Sequence, residues 1–103
     1  MFARTIRMQL KPESLSEFTQ VMEDEVIPLL RKQQGFRDEI AFVRPSGTVA
    51  IRITLWEGKE SADAYQLQGY PEALKALASV VEGTPRVRSF EVSNSTYHKI
   101  AAR

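Results

Sequence analysis

Three residues whose side chains suit the binding of an aromatic anion lie close together in the sequence. Arg52 and Trp56 are four residues apart in an alternating segment, so they share one face of a strand at a separation of roughly 13 Å. Tyr65 follows in a helical segment that begins near Trp56. Arginine stays charged and offers a fork of donors, so Arg52 would clamp a phenolate or a carboxylate. Trp56 and Tyr65 would then form the aromatic walls of the pocket.

Each of these residues also has a structural interpretation. Trp56 fits packing in a core or a dimer interface equally well, because large aromatic side chains at strand ends commonly do so. Tyr65 fits a half-buried helix position whose hydroxyl reaches water. Arg52 fits an ion-pair network with Glu39, with Glu91 or with a partner subunit. The sequence alone leaves both sets of interpretations open.

The absence of cysteine and the single histidine exclude several chemistries. Without cysteine the chain has no disulfide, no thiolate nucleophile and no cysteine-held zinc or iron–sulfur site. A single histidine excludes any site that takes two histidine ligands from one chain. His98 has the intrinsic pKa of a base but no recognisable partner, and it also fits an exposed strand residue. The sequence therefore predicts neither a metal nor a cofactor.

The composition is that of one soluble globular domain spanning residues 1–103. Hydrophobic residues make up 43% and charged residues 26%, which is too hydrophobic for a disordered chain. Lys and Arg number 14 and Asp and Glu 13, so a net charge of +1 gives little attraction to nucleic acid or to anionic lipid. No apolar run approaches the ~20 residues of a membrane span. We expect a cytoplasmic protein without a signal peptide.

The first part of the chain alternates between strand and helix signals. Phe2–Leu10 alternates with period two and predicts a strand. Ser14-Leu15-Ser16-Glu17 has the pattern of a capping box at a helix start. Pro28 predicts a kink in that helix, and Gly35 predicts its C-cap. The apolar stripe of the helix comprises Leu15, Phe18, Met22, Val26, Leu29 and Leu30.

The second part predicts two further strands, a helical region and a last strand. The strands are residues 36–44 and 48–56, the helical region is 61–82 with Gly83 as its C-cap, and the last strand is 87–98. One face of the second strand is expected to carry Phe36, Ile40 and Phe42.

The order β-α-β-β-α-β predicts an α+β fold, the ferredoxin-like arrangement with a four-stranded antiparallel sheet in the order 4-1-3-2. Two helices can cover only one face of such a sheet. An apolar face is expected to carry Ile6, Met8, Ile51, Ile53 and Phe90. A mixed face is expected to carry Arg7, Gln9, Arg52, Thr54 and Trp56. Alternation alone does not say which face the helices cover, and an uncovered mixed face predicts a cavity or a second subunit.

Residues 51–65, with the sequence IRITLWEGKESADAY, resemble the signature of the antibiotic biosynthesis monooxygenase domain. In that signature a hydrophobic central strand ends in Trp-Glu and is followed by a helix that carries an aromatic residue. Trp56 and Tyr65 match these two aromatic positions. Pro28 and the Gly35-Phe36 step resemble the family's first helix running into its second strand. The resemblance covers nearly the whole chain.

The resemblance implies a homodimer in which two ferredoxin-like sheets form a dimeric α/β barrel. It implies a cofactor-independent monooxygenase that oxidises an aromatic phenol or quinol with molecular oxygen, or alternatively a non-catalytic, small dimeric ligand-binding protein. Arg52 stands where the phenol-oxidising members have an amide, and a guanidinium cannot accept a hydrogen bond. The haem-degrading members have an Asn on the first strand and a His in the region corresponding to residues 61–82; this chain has neither, which argues against haem degradation.

Overall fold

The computed structural model of the protein describes residues 1–97. His98, for which the sequence leaves open an exposed strand residue or a base, lies outside the described residues. The strands are β1 (Phe2–Leu10), β2 (Phe36–Val43), β3 (Val49–Trp56) and β4 (Val81–Glu91). The helices are α1 (Leu15–Val21), a π-helical segment (Met22–Val26), α2 (Ile27–Arg31), α3 (Lys59–Gln68) and α4 (Tyr70–Leu77).

The four strands form one antiparallel sheet in the order β2-β3-β1-β4. This confirms the predicted ferredoxin-like topology, with the first and third strands side by side at the centre. The helices cover one face of the sheet, and the hydrophobic core lies between them and that face.

The covered face is the one that carries Arg52 and Trp56. In the β1–β3 register, Ile6 lies opposite Arg52 and Arg7 lies opposite Ile51. Directly opposed residues share a face, so the predicted grouping of Ile6 with Ile51, and of Arg7 with Arg52, is wrong. Alternation within each strand was predicted correctly. Alternation does not determine the register between strands, and the observed register places the apolar side of β1 on the same face of the sheet as the mixed side of β3. The uncovered face is therefore the more apolar face of β3.

The first helical region buries most of its predicted apolar stripe but does not form the predicted capping box. Phe18, Met22, Val26 and Leu30 are buried. Ser14 makes no side-chain capping bond, and the Glu17 carboxylate instead accepts a hydrogen bond from Ser79 Oγ at 3.0 Å. Pro28 lies in the first turn of α2, directly after the π-helical segment, where its missing N–H costs little. The kink predicted at Pro28 thus corresponds in the structure to a change from a π-helix to an α-helix.

The last strand begins six residues earlier than predicted. Helix α4 ends at Leu77, and Val81 and Glu82 already pair with β1. Gly83, with φ of +69°, lies where the β1–β4 register shifts between Arg7 and Gln9. A glycine in the left-handed region is typical of a β-bulge as well as of a helix C-cap, and here it forms the irregularity in the strand.

Strand β2 contains a second irregularity, which changes the direction of Phe36. Phe36 pairs with Trp56 and Asp38 with Leu55, so Arg37 is an extra residue. Phe36 consequently lies on the covered face beside Trp56, whereas Ile40 and Phe42 lie on the uncovered face. The expectation that all three share a face is wrong because a bulge inverts the alternation.

Candidate functional site

The covered face of β3 places Trp56 at the centre of an aromatic cluster. The indole is completely buried, and its ring stacks on Tyr65 with centroids 5.1 Å apart and an interplanar angle of 29°. Phe36 meets the indole edge-on at 5.5 Å. Trp56 Nε1 donates a hydrogen bond to Thr54 Oγ1 at 3.0 Å. The indole of Trp56 is therefore fixed both by contacts with two aromatic rings and by a hydrogen bond from its N–H group.

Arg52 lies on the same face as a buried cation with one carboxylate neighbour. Its Nε donates to Glu39 Oε2 at 2.9 Å, and the two side chains are 1% and 7% exposed. Glu39 stands on β2 opposite Thr54, so the ion pair joins the edge strand to the central strand. This confirms one of the two interpretations of Arg52, the ion pair with Glu39. The pair leaves part of the guanidinium free, because Arg52 Nη2 has no hydrogen-bond partner among the described residues.

The Tyr65 hydroxyl is the second buried polar group without a hydrogen-bond partner in the described part of the chain. Burial raises the pKa of Tyr65 above its ordinary value of 10.0, and the nearby Arg52 guanidinium lowers it by a smaller amount. Burial likewise raises the pKa of Tyr70, whose ring meets that of Tyr65 edge-on at 6.3 Å. A buried polar group without a partner costs about 1–3 kcal/mol, so this corner of the core is costly to maintain.

Helix α3 carries Tyr65 and is fixed to the sheet by Arg4. Arg4 Nη1 donates to the Ala62 carbonyl at 3.1 Å and to Gln66 Oε1 at 3.2 Å, and Nη2 pairs with Asp63. Its Nε donates to Ser89 Oγ on β4 at 3.1 Å. Each of the three guanidinium nitrogens of Arg4 thus has a partner, on helix α3 or on β4, whereas Nη2 of Arg52 has none among the described residues.

Tyr65 forms part of the lining of a surface cleft. Its volume is about 380 Å³, and polar residues of α3 and of the turn after α2 surround it. Its lining comprises Gln33, Gln34, Glu60, Ser61, Ala64, Tyr65 and Gln68. Tyr65 therefore contributes both to this cleft and to the stack on the buried Trp56.

The structure brings together the three residues that the sequence singles out, but it packs them rather than opening a pocket between them. Trp56 exposes no surface, and the Tyr65 ring stacks on its indole, so the internal pocket expected beside Trp56 stays a prediction. Sequence reasoning missed Phe36, whose position depends on the bulge in β2. It also missed the contact between Thr54 and Trp56, which the i, i+2 spacing along one strand face would have indicated.

Residues 1–97 contain no group of three or more His, Cys, Asp or Glu side chains arranged to hold a metal ion. Within the same residues, no helix is both long and apolar enough to cross a membrane.

The sequence matches no protein-family model and no curated protein. Solved structures share the fold. A protein of unknown function from Nitrosomonas europaea has a TM-score of 0.76 and 16% identity, with 99% of this chain and 95% of that chain covered. SnoaB, a cofactor-independent oxygenase from Streptomyces nogalater, has a TM-score of 0.76 and 15% identity over 92% of this chain and 95% of that chain.

A monooxygenase of Streptomyces coelicolor, from the gene ActVA-Orf6 and solved with the ligand nanaomycin D, has a TM-score of 0.76 and 16% identity. The alignment covers 91% of this chain and 88% of that chain. Other neighbours are described as antibiotic biosynthesis monooxygenases. The chain thus has the fold of the antibiotic biosynthesis monooxygenases, as the resemblance of residues 51–65 predicts.

Proposed function

We propose that the protein is a cofactor-independent monooxygenase that oxidises an aromatic phenol or quinol with molecular oxygen. One observation carries the proposal: a phenol ring, that of Tyr65, stacks on Trp56 beside a buried arginine whose Nη2 is unpaired. The shared fold with a cofactor-independent oxygenase and with a monooxygenase that binds nanaomycin D supports it.

The reaction needs only the substrate and oxygen. A phenol with a free ring position and one O₂ give a quinone and one water, so the organic substrate supplies all the electrons and no external reductant is required. Loss of the phenolic proton makes the ring electron-rich enough to react with oxygen. The protein would contribute orientation, exclusion of water and stabilisation of the phenolate.

In this proposal each of the three site residues has a separate role. Arg52 stabilises the phenolate oxygen through Nη2, because a guanidinium remains charged even when buried. Trp56 is the surface on which the substrate ring stacks. Tyr65 borders the site from the side of the surface cleft. Glu39 is a positioning residue, since its carboxylate fixes the direction of the guanidinium.

Oxygen uptake tests the proposal directly. A panel of naphthols and naphthoquinols is incubated with the protein, and oxygen consumed is compared with quinone formed. We expect equal amounts of each. Arg52→Lys keeps the charge and loses the donor fork, and it should lower kcat/KM by roughly 10²-fold, as loss of one donor to a developing anion does. Arg7→Lys is the matched control, because Arg7 lies on the opposite face of the sheet.

The alternative function is that of a non-catalytic protein that binds a small aromatic molecule. It is favoured by the burial of Arg52 and Trp56, whose side chains are 1% and 0% exposed. If the parent protein consumes no oxygen with any member of the panel, the oxidation proposal is wrong and the alternative stands. We further propose that the protein is cytoplasmic and that a second copy covers the open face of the sheet to form a dimer.

A further inference from the structure

The side chain of Tyr65 is itself a phenol, and its surroundings describe a site for one. Its ring lies flat against Trp56, and its hydroxyl points into a region where Arg52 Nη2 also lacks a partner. The Tyr65 oxygen can itself accept a hydrogen bond, and it lies near the Arg52 guanidinium, which partly offsets the rise that burial causes in the pKa of Tyr65. A phenolate oxygen in the place of the Tyr65 oxygen would accept from Nη2 and remove the cost of leaving that buried donor unpaired. The chemistry of the site therefore calls for an oxygen that accepts hydrogen bonds, such as that of a phenolate.

Tyr65 belongs both to a surface cleft and to the buried aromatic cluster. The cleft has a volume of about 380 Å³, which is within the range of ~300–1,000 Å³ for small-molecule pockets. The ring of the same residue stacks on Trp56 and lies near Arg52. Displacement of this one ring would therefore open a path from the cleft toward both of them.

A close backbone contact explains how the ring fits. A Cβ added at Gly69 would lie 2.7 Å from both Cδ1 and Cε1 of Tyr65, which is closer than real Cβ atoms approach their neighbours. The absence of a side chain at position 69 thus makes room for the ring. The inward position of Tyr65 depends on Gly69 on one side and on Trp56 on the other.

We propose that Tyr65 is a gate that occupies the ligand's own place: its ring swings off Trp56, and a phenolic ligand takes over the stack on Trp56 while its oxygen accepts from Arg52 Nη2. This inference rests on the proposed function for the class of ligand, and it adds that the closed form is held shut by a side chain that imitates the ligand. The closed form should therefore weaken the binding of phenols by the factor that opening costs.

Binding of 4-nitrophenol tests the gate without any oxidation. Trp56 is the only tryptophan, so quenching of its fluorescence reports binding at this site. We expect saturable quenching and a gain of phenolate absorbance at constant pH, because a neighbouring guanidinium lowers the pKa of a bound phenol. Nitrobenzene, which lacks the hydroxyl, should produce no such saturation. Failure of 4-nitrophenol to quench Trp56 in the parent would overturn the proposal.

Removal of the gate should strengthen binding. Tyr65→Leu should bind 4-nitrophenol at least about tenfold more tightly than the parent, as expected when an occupied state outweighs the competent one by an order of magnitude. Tyr70→Leu is the matched control, since it removes the neighbouring buried ring. Equal affinities in Tyr65→Leu and the parent would show that Tyr65 does not occupy the ligand's place.

Gly69→Ala tests the gate from the side of the backbone. The new methyl group should push the Tyr65 ring away and make Trp56 accessible to quenching by acrylamide, whereas Gly58→Ala, which has no close contact to a ring, should not. A folded Gly69→Ala protein with Trp56 still shielded would contradict the gate. If Gly69→Ala does not fold, the comparison of Tyr65→Leu with Tyr70→Leu tests the gate instead.

The gate and the proposed oxidation can fail separately. Binding of 4-nitrophenol without oxygen uptake would support the gate and contradict the oxidation. Oxygen uptake without binding of 4-nitrophenol at Trp56 would support the oxidation and contradict the gate.

Discussion

Tyr65 and Tyr70 are two adjacent phenols whose ionisation is opposed by burial. Burial is the largest influence on each pKa, and Arg52 only partly offsets it. Glu39, which is paired with Arg52, acts on Tyr65 in the same direction as burial. Both hydroxyls therefore remain protonated in the folded protein at a pH where they would already ionise in the unfolded chain. This difference couples the stability of the fold to alkaline pH.

The expected result is a loss of stability above pH 10.0. A raised pKa in the folded state gives a contribution that is fully present below the unfolded value of 10.0 and is lost as the pH rises through the folded value. Urea unfolding at about four pH values between pH 8 and pH 11 measures this loss of stability. Tyr65→Phe with Tyr70→Phe should flatten the decline. An equally steep decline in that double variant would assign the effect to other groups.

The Arg52–Glu39 ion pair links β3 to the edge strand β2. The pair is buried, so its Coulomb attraction must offset the desolvation of two charges. Such a pair adds little net stability compared with two apolar residues, yet loss of one member leaves the other charge buried without a counter-ion. Replacement of Arg52 with Met would therefore destabilise the fold, because Glu39 would remain as an uncompensated buried carboxylate.

A double-mutant cycle tests this link. Arg52→Met alone and Glu39→Leu alone should each lower the free energy of unfolding by about 3–5 kcal/mol, while the double variant should lie close to the parent or above it. The exposed pair Arg37–Glu57 is the matched control, where single substitutions should cost at most about 1 kcal/mol. Additive losses at Arg52 and Glu39 would show that the two charges do not depend on each other.

The sequence predicts individual strands better than it predicts the bulges and the contacts between strands. Strands β1 and β3 were predictable because large apolar residues recur at every second position over most of each strand. The bulge at Arg37 was not, because an extra residue changes the direction of Phe36 without any composition signal. Gly83 fits a helix end and a strand bulge equally well, so the start of β4 was misplaced. The site residues were found through local spacing, but their packing depends on contacts between strands, which no single segment encodes.

For the molecule as a whole, the uncovered face of the sheet is its most unusual surface. Ile40, Phe42 and Phe90 are 46%, 53% and 50% exposed, and they come from both edge strands. Ile51 and Ile53 of β3 lie in the same rows as Phe42 and Ile40 and continue the apolar surface toward the centre. A contiguous apolar patch of this kind typically marks an interaction site. The uncovered face of β3 therefore offers a second subunit a more apolar surface than the mixed face of that strand would.

A second copy of the chain is the partner we predict for this face, and Phe42→Lys should prevent the association. A two-fold interface repeats every substitution, so burial of about 1.5–3 kcal/mol per Phe is lost twice, which weakens a dimer by at least about 100-fold. Sedimentation or light scattering at micromolar concentration measures the mass. Leu67→Lys is the matched control, because Leu67 is an exposed leucine on helix α3, away from the open face. A monomeric parent, or equal dissociation in both variants, would contradict the prediction; a dimer lost only in Phe42→Lys would place the interface on the sheet.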